Sequence, residues 1–305
     1  MQRNDLLNWF ILLVLVLLWG TSFMFISLSL ESFSPVGVVA VRIFLGAVVL
    51  GAVLWAKRLI LPRDLKSWSI FLLFGLLGNL LPFYFISLGQ QSVSSGVAGL
   101  LMASMPLFTM LLAHYLVPNE RLNSYKLLGF SLGILGVLVI VYPSIQSTGN
   151  TFFGVILILM ASTSYAVNSI LARLLPQFDP IVAGFGMLLM GSLVIVPIWF
   201  YQDQPWQQEY HSMAVLSIIW LGIGPTGIAS VLFFAVIRSA GPTFLANINY
   251  VIPVVAYFTG AIMLGEHIEW HSLAALGLIL SGIAVTRIVP QVPKINTRDG
   301  LSGDK

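Results

Sequence analysis

The chain has 305 residues, 58% of them hydrophobic and only 8% charged, with a mean hydropathy of +0.97. A soluble domain carries about 25% charged residues to face water, so this composition excludes a water-soluble globule of such size, and it excludes disorder as well. With 0 cysteines a disulfide-stapled scaffold is out, and a net charge of +3 is too small to point to nucleic acid. What remains is a polytopic helical membrane protein.

A helix that crosses the hydrocarbon core needs about 20 mostly apolar residues. In chain order ten runs qualify: 6–28, 36–56, 68–88, 96–117, 124–142, 152–172, 181–201, 213–237, 243–264 and 272–289. Breakers or charges fill almost every gap, among them Ser34-Pro35, Pro62-Arg63-Asp64, Pro118-Asn119-Glu120, Pro143, Asp179-Pro180 and Gly241-Pro242. No strand alternation runs through them, which argues against an outer-membrane barrel. The first run lacks a small-x-small site before Glu31 and reads as a retained helix, not a signal peptide.

Lysine and arginine set the orientation. With the N-terminus in the cytoplasm, Arg3, Lys57, Arg58, Arg63, Lys66, Arg121, Lys126, Arg173, Arg238, Arg287, Lys294, Arg298 and Lys305 all fall on the cytoplasmic side or at the cytoplasmic ends of runs, and Arg42 is the other one, within the second run. That is the positive-inside bias, and both termini are expected in the cytoplasm of a cell whose inner (plasma) membrane holds the chain. Glu31, Asp203, Glu209, Glu266 and Glu269 fall outside. Trp9, Trp55, Trp68, Trp199, Trp206 and Trp270 sit at run ends as an interfacial belt, whereas Trp19 is mid-run.

The halves repeat. Pro35 matches Pro180 at an offset of 145, Glu120 matches Glu266 at 146, Ser92 matches Ser239 and Pro106 matches Pro253 at 147, and Gly129 matches Gly277 at 148. Five helices per half is an odd number, so the second copy enters the membrane from the opposite face. The expected fold is therefore all-α, with ten transmembrane helices in two inverted-topology repeats, 1–143 and 152–289, and a disordered cytoplasmic tail at 290–305. Inverted repeats underlie many secondary transporters, because two similar packings open to opposite sides. Several channels are built the same way, and duplication without transport is the bland alternative.

Certain residues carry a resemblance: Trp19-Gly20, Ala40-Val41-Arg42, Pro106, Asn119-Glu120-Arg121, Pro253 and Gly265-Glu266. In this order the chain resembles the EamA-type members of the drug/metabolite transporter superfamily over about residues 6 to 289. The resemblance implies a permease with a central cavity between two five-helix halves. It implies small metabolites as substrates, often amino acids or related compounds, commonly moved outward. Ser164-Tyr165-Ala166 stands where the first half has Trp19-Gly20-Thr21, and Met187 where it has Arg42, so the halves are not equivalent.

Paired proline interruptions in two halves point to a midplane site. Pro106 frees the carbonyl of Met102 and Pro253 that of Asn249; Pro82 and Pro225 interrupt the third and eighth runs without aligning. Simple kinking is the alternative for either alone. The polar residues near these breaks are candidates to touch solute: Trp19, Asn79, Tyr84, Ser104, Tyr165, Asn168, Asn247, Asn249 and Tyr250. Each faces either solute or another helix. Arg42 either attracts a substrate carboxylate, snorkels, or binds helix-end carbonyls. Glu120 and Glu266 hold helix ends, gate an entrance, or are plain surface carboxylates.

All 11 acidic residues lie outside the deep runs, which disfavours a buried carboxylate as proton or sodium carrier and favours downhill movement or exchange. No Walker sequence is present, and no metal or nucleophile motif for an intramembrane enzyme, so no cofactor is expected. His267 and His271 are four apart in an outer loop and read as interfacial. Gly129, Gly133 and Gly136, with Gly277, Ser281 and Gly282, bring the fifth and tenth helices together or form a dimer interface. The expected partners are a small-molecule substrate and lipid, with the chain a monomer or homodimer. A passive pore is the alternative function.

Overall fold

The computed structural model describes residues 3–118, 120, 122–146 and 150–286. The 290–305 tail and the basic residues Arg121, Arg287, Lys294, Arg298 and Lys305 lie outside them. The described residues are helical and hold no strand. In order the helices are α1 (Arg3–Leu30), α2 (Pro35–Ala56), α3 (Leu65–Gly75), α4 (Leu81–Gly89), α5 (Ser95–Met102), α6 (Met105–Leu116), α7 (Ser124–Gln146), α8 (Thr151–Leu174), α9 (Pro180–Asp203), α10 (Ser212–Leu221), α11 (Ala229–Leu245), α12 (Ile248–Leu264) and α13 (Trp270–Thr286). A π-helical turn, Leu76–Leu80, welds α3 to α4, and a second, Gly222–Ile228, welds α10 to α11. Among the described residues eight helical stretches are long and apolar enough to cross a membrane, and Ile248–Leu264 and Trp270–Thr286 are shorter apolar helices.

Local chemistry starts these helices where the sequence breaks. Ser34 accepts from the Gly37 N–H with Pro35 at the first helical position, and Asp179 accepts from Ile181 and Val182 ahead of Pro180's helix. Asp64 caps α3 through the Ser67 N–H, which holds its carboxyl below its ordinary value. Gly265, at φ 67°, ends α12 in the left-handed conformation that favours glycine.

The packing between halves comes in matched pairs. Helices α2 and α9 run antiparallel: a Cβ on Gly37 would meet Trp199, one on Gly46 would meet Leu188, and one on Gly51 would meet Phe185. Helices α7 and α13 run antiparallel likewise, Gly129 lying on Gly282 and Thr286 and Gly136 on Ile279 and Ala275. The α7 glycine stripe is thus consumed within the chain. Off-diagonal contacts repeat too. Gly75 abuts the carbonyl of Met187, and its counterpart Gly222 abuts the carbonyl of Arg42, the residue that matches Met187.

The tryptophan belt needs one correction. Trp9, Trp55, Trp206 and Trp270 are exposed at helix ends, but Trp199 packs against Gly37 between α2 and α9 with its Nε1 buried and unpartnered.

Candidate functional site

Two π-helical turns dominate the bundle centre. A π turn widens the helix and leaves carbonyls out of register with the α pattern. In lipid such groups must find partners within the protein, and here side chains from the opposite half supply them. Trp19 Nε1 on α1 donates to the carbonyl of Pro225, 2.9 Å. Ser164 Oγ on α8 donates to the carbonyl of Leu77, 2.8 Å. Trp19 and Ser164 occupy matched places in the two halves, as do the two π turns.

Pro225, which lacks an N–H, lies inside the second π turn, which follows Leu221. Thr226 Oγ1 donates to the Leu221 carbonyl, 2.8 Å, and in turn accepts from Arg42 Nε, 2.9 Å. The guanidinium carbon lies over the Phe83 ring, 3.7 Å from its centroid, within cation–π range. Tyr165 packs on the same buried cluster as Phe83. Arg42 is only 5% exposed. It therefore does not snorkel: it points inward and ties α2 to the π turn of the other half.

Beside this cluster lies the α3–α4 π turn. Asn168 of α8 packs over Gly78, where a Cβ would meet its Nδ2 at 2.6 Å. Asn168 Oδ1 and Asn79 Nδ2 are buried and have no hydrogen-bond partner, an acceptor and a donor left open. Tyr84 is half-buried on α4 and packs on the same cluster as Phe83 and Tyr165.

The matched prolines do not act alike. Between α5 and α6 the chain breaks at Ala103 and Ser104, with Pro106 just inside the new helix. Ser104 is 0% exposed and is spent on the Leu101 carbonyl and on Ser162 Oγ, 3.0 Å away on α8, which makes it an interhelical link. In the second half the break comes earlier, at Ala246 and Asn247, and Pro253 lies inside α12. Asn247, Asn249 and Tyr250 are half-buried there, Tyr250 packing on the same core as Tyr165.

The two matched glutamates also differ. Glu266 reaches across the halves and accepts from the N–H groups of Ser95, 2.7 Å, and Gly96, 2.9 Å, capping α5. Glu120 instead pairs with Arg173 at the surface. One position explains the contrast: Ser95 matches Pro242 at 147, and proline offers no N–H. At the Glu266 end the halves are further joined by Ser34 with Asp203 and by Phe33 stacked on Tyr210, 4.2 Å between centroids. Burial and the nearby Asp203 push the Tyr210 phenol above its ordinary range. His271 meets Glu269 in the same region.

A groove of about 510 Å³ lies elsewhere, on the flank of α7, lined by Leu135, Leu138, Tyr142, Ile145 and other apolar groups with His271 at its edge. Its lining offers a polar solute little, so the candidate site stays with the polar centre. Sequence reasoning missed both π turns, Thr226 and Phe83. The glycine clusters Gly75 and Gly78, and Gly222, Gly224 and Gly227, were the available signal.

The profile of the EamA-like transporter family matches twice, over residues 7–142 and 152–288. The chain belongs to that family. It is 26% identical to the transporter YoaV of Bacillus subtilis over 88% of this chain and 92% of that one. It is 25% identical to a probable amino-acid metabolite efflux pump of Salmonella typhimurium over 93% of this chain and 95% of the pump. The Escherichia coli inner membrane transporter YedA is 25% identical over 91% and 89% respectively. A solved crystal structure at 21% identity superposes with a TM-score of 0.64 over 92% of this chain and 96% of the other, which shows the fold. This EamA chain is a multi-pass membrane transporter within the drug/metabolite transporter superfamily.

Proposed function

We propose that this transporter is a carrier that moves small metabolites, amino acids or related compounds, outward by alternating access. In this reading the chain crosses the inner membrane ten times, with both termini cytoplasmic, as two inverted units, 1–143 and 152–289. The antiparallel packing of α2 on α9 and of α7 on α13 supports the inversion, and the probable amino-acid efflux pump among the relatives supports the substrate class and direction.

The observation that carries the reading is the pair of reciprocal bonds, Trp19 to Pro225 and Ser164 to Leu77. Each first helix holds the interrupted third helix of the other half, so the centre is a seam between two similar units that can rock about it. Trp19, Asn79, Tyr84, Tyr165, Asn168, Asn247, Asn249 and Tyr250 line the solute path in this scheme, Ser104 ties its wall to α8, and Pro106 and Pro253 serve as hinges. Arg42 supplies charge at the centre, and Glu266 and Glu120 hold the two ends. The spans offer no carboxylate to carry a proton, so flux runs downhill or by exchange.

Counterflow tests this. Vesicles containing the purified chain are loaded with an unlabelled amino acid mixture and given labelled amino acids outside. The expected result is uptake that saturates and is accelerated by the load. Unsaturable flux indifferent to the load would mark a pore and contradict the proposal.

A further inference from the structure

We infer that Arg42 is the receptor for a carboxylate on the transported solute. The inference deepens the carrier reading and rests on it only for the steps after binding.

The argument is one of uncompensated charge. Arg42 lies about 10 Å along α2 from its start at 1.5 Å per residue, and it is 5% exposed. A buried arginine is ordinarily paired with an acid, because an isolated charge in a low-dielectric interior is costly. None of the 11 acidic residues lies in the deep spans, and among the described residues no carboxylate pairs with Arg42. Its partners are a ring face and one hydroxyl. A guanidinium has five N–H donors; only Nε is used, on Thr226.

That arrangement is directional. Phe83 packs its ring against the guanidinium carbon, and Thr226, itself bonded to the Leu221 carbonyl, holds the Nε edge. What is left is the Nη end, a planar fork whose natural complement is a carboxylate bound through two parallel hydrogen bonds. The surrounding residues come from α2, α4, α8 and the Gly222–Ile228 turn, so both halves converge there. The unpartnered Asn79 Nδ2 on the neighbouring turn and Asn168 Oδ1 on α8, which packs over that turn, are a further donor and acceptor with no protein mate. A solute that bears both a carboxylate and an N–H donor satisfies all three. The matched position in the other half is Met187, so there is a single cationic receptor, and one carboxylate is bound per cycle.

The test compares each L-amino acid, and acetate, lactate and benzoate, with its own carboxamide, by the thermal shift each gives the purified full chain in detergent. A ligand that prefers the native state raises the melting temperature. The expected result is at least one acid that stabilises at a concentration about tenfold or more below that of its carboxamide. Arg42→Lys should weaken that preference and Arg42→Met should abolish it. The acid-to-amide comparison in the unaltered chain keeps the test sound if a variant fails to fold. Equal shifts by acids and amides, no stabilising acid in the set, or an acid preference that survives Arg42→Met would each overturn the inference. Failure of the carrier reading looks different: acid binding dependent on Arg42 would persist while counterflow in vesicles showed no exchange.

Discussion

Glu120 and Glu266 occupy the same place in two copies of one motif, yet their neighbours assign them different work. Glu266 accepts two backbone N–H groups at the start of α5. Replacing it by glutamine turns one acceptor into a donor facing an N–H, a loss of about 1–3 kcal/mol. Glu120 and Arg173 are 41% and 48% exposed, and such a pair is worth about 0–1 kcal/mol. Denaturation of Glu266→Gln and Glu120→Gln in detergent should therefore show a clear loss for the first and little for the second; equal losses would refute the cap. Tyr210 gives a pH signature. Its raised pKa means the protonated phenol is favoured in the folded state, so its contribution is intact below the ordinary tyrosine pKa near 10 and is lost as pH rises past it. Tyr210→Phe should remove part of the alkaline loss of stability. An unchanged alkaline limb in that variant would show that the phenol's surroundings do not matter.

At the scale of helices, close approach decides more than propensity. Gly75 lies against the Met187 carbonyl, and a Cβ there would strike backbone, which cannot step aside. Gly75→Ala should cost about 1–3 kcal/mol. Gly277 has nothing within 4 Å of such a Cβ, so Gly277→Ala should be neutral or gain up to about 1 kcal/mol from helix propensity. Melting temperatures of the two variants decide between this and a uniform glycine effect. Thr226→Val keeps the shape but strips Arg42 Nε of its partner, a loss of about 1–3 kcal/mol; Thr226→Ser should restore most of it, and would fail to if only the methyl mattered. The helices themselves were largely legible, since apolar runs bounded by Ser34-Pro35, Asp64 and Asp179-Pro180 fix starts by local capping. The π turns were not. Pro82 and Pro225 suggested two unaligned kinks, because a widened turn arises from tertiary partners, here Ser164 and Trp19, that hydropathy does not encode.

Across the whole molecule the sequence exposed the duplication, because matched prolines, glutamates and glycines survive at nearly constant spacing. The family match over 7–142 and 152–288 follows the same spacing. Which polar residues form the centre was less legible. Ser104 looked like a wall residue and is an interhelical bond, Arg42 looked free to snorkel and is locked inward, and Thr226 drew no attention although it joins Arg42 to the break at Pro225. Side chains that cap freed carbonyls are chosen by three-dimensional neighbours from the other half, and one copy read alone does not contain them. The central claim is that the two copies face opposite ways across the bilayer. The chain has 0 cysteines, so single ones report cleanly. Pro118 and His267 flank the matched glutamates and are exposed. In sealed right-side-out vesicles, a membrane-impermeant maleimide added outside should label His267→Cys and spare Pro118→Cys until the vesicles are opened. Labelling of both from the same face would contradict the inverted arrangement and the carrier built on it.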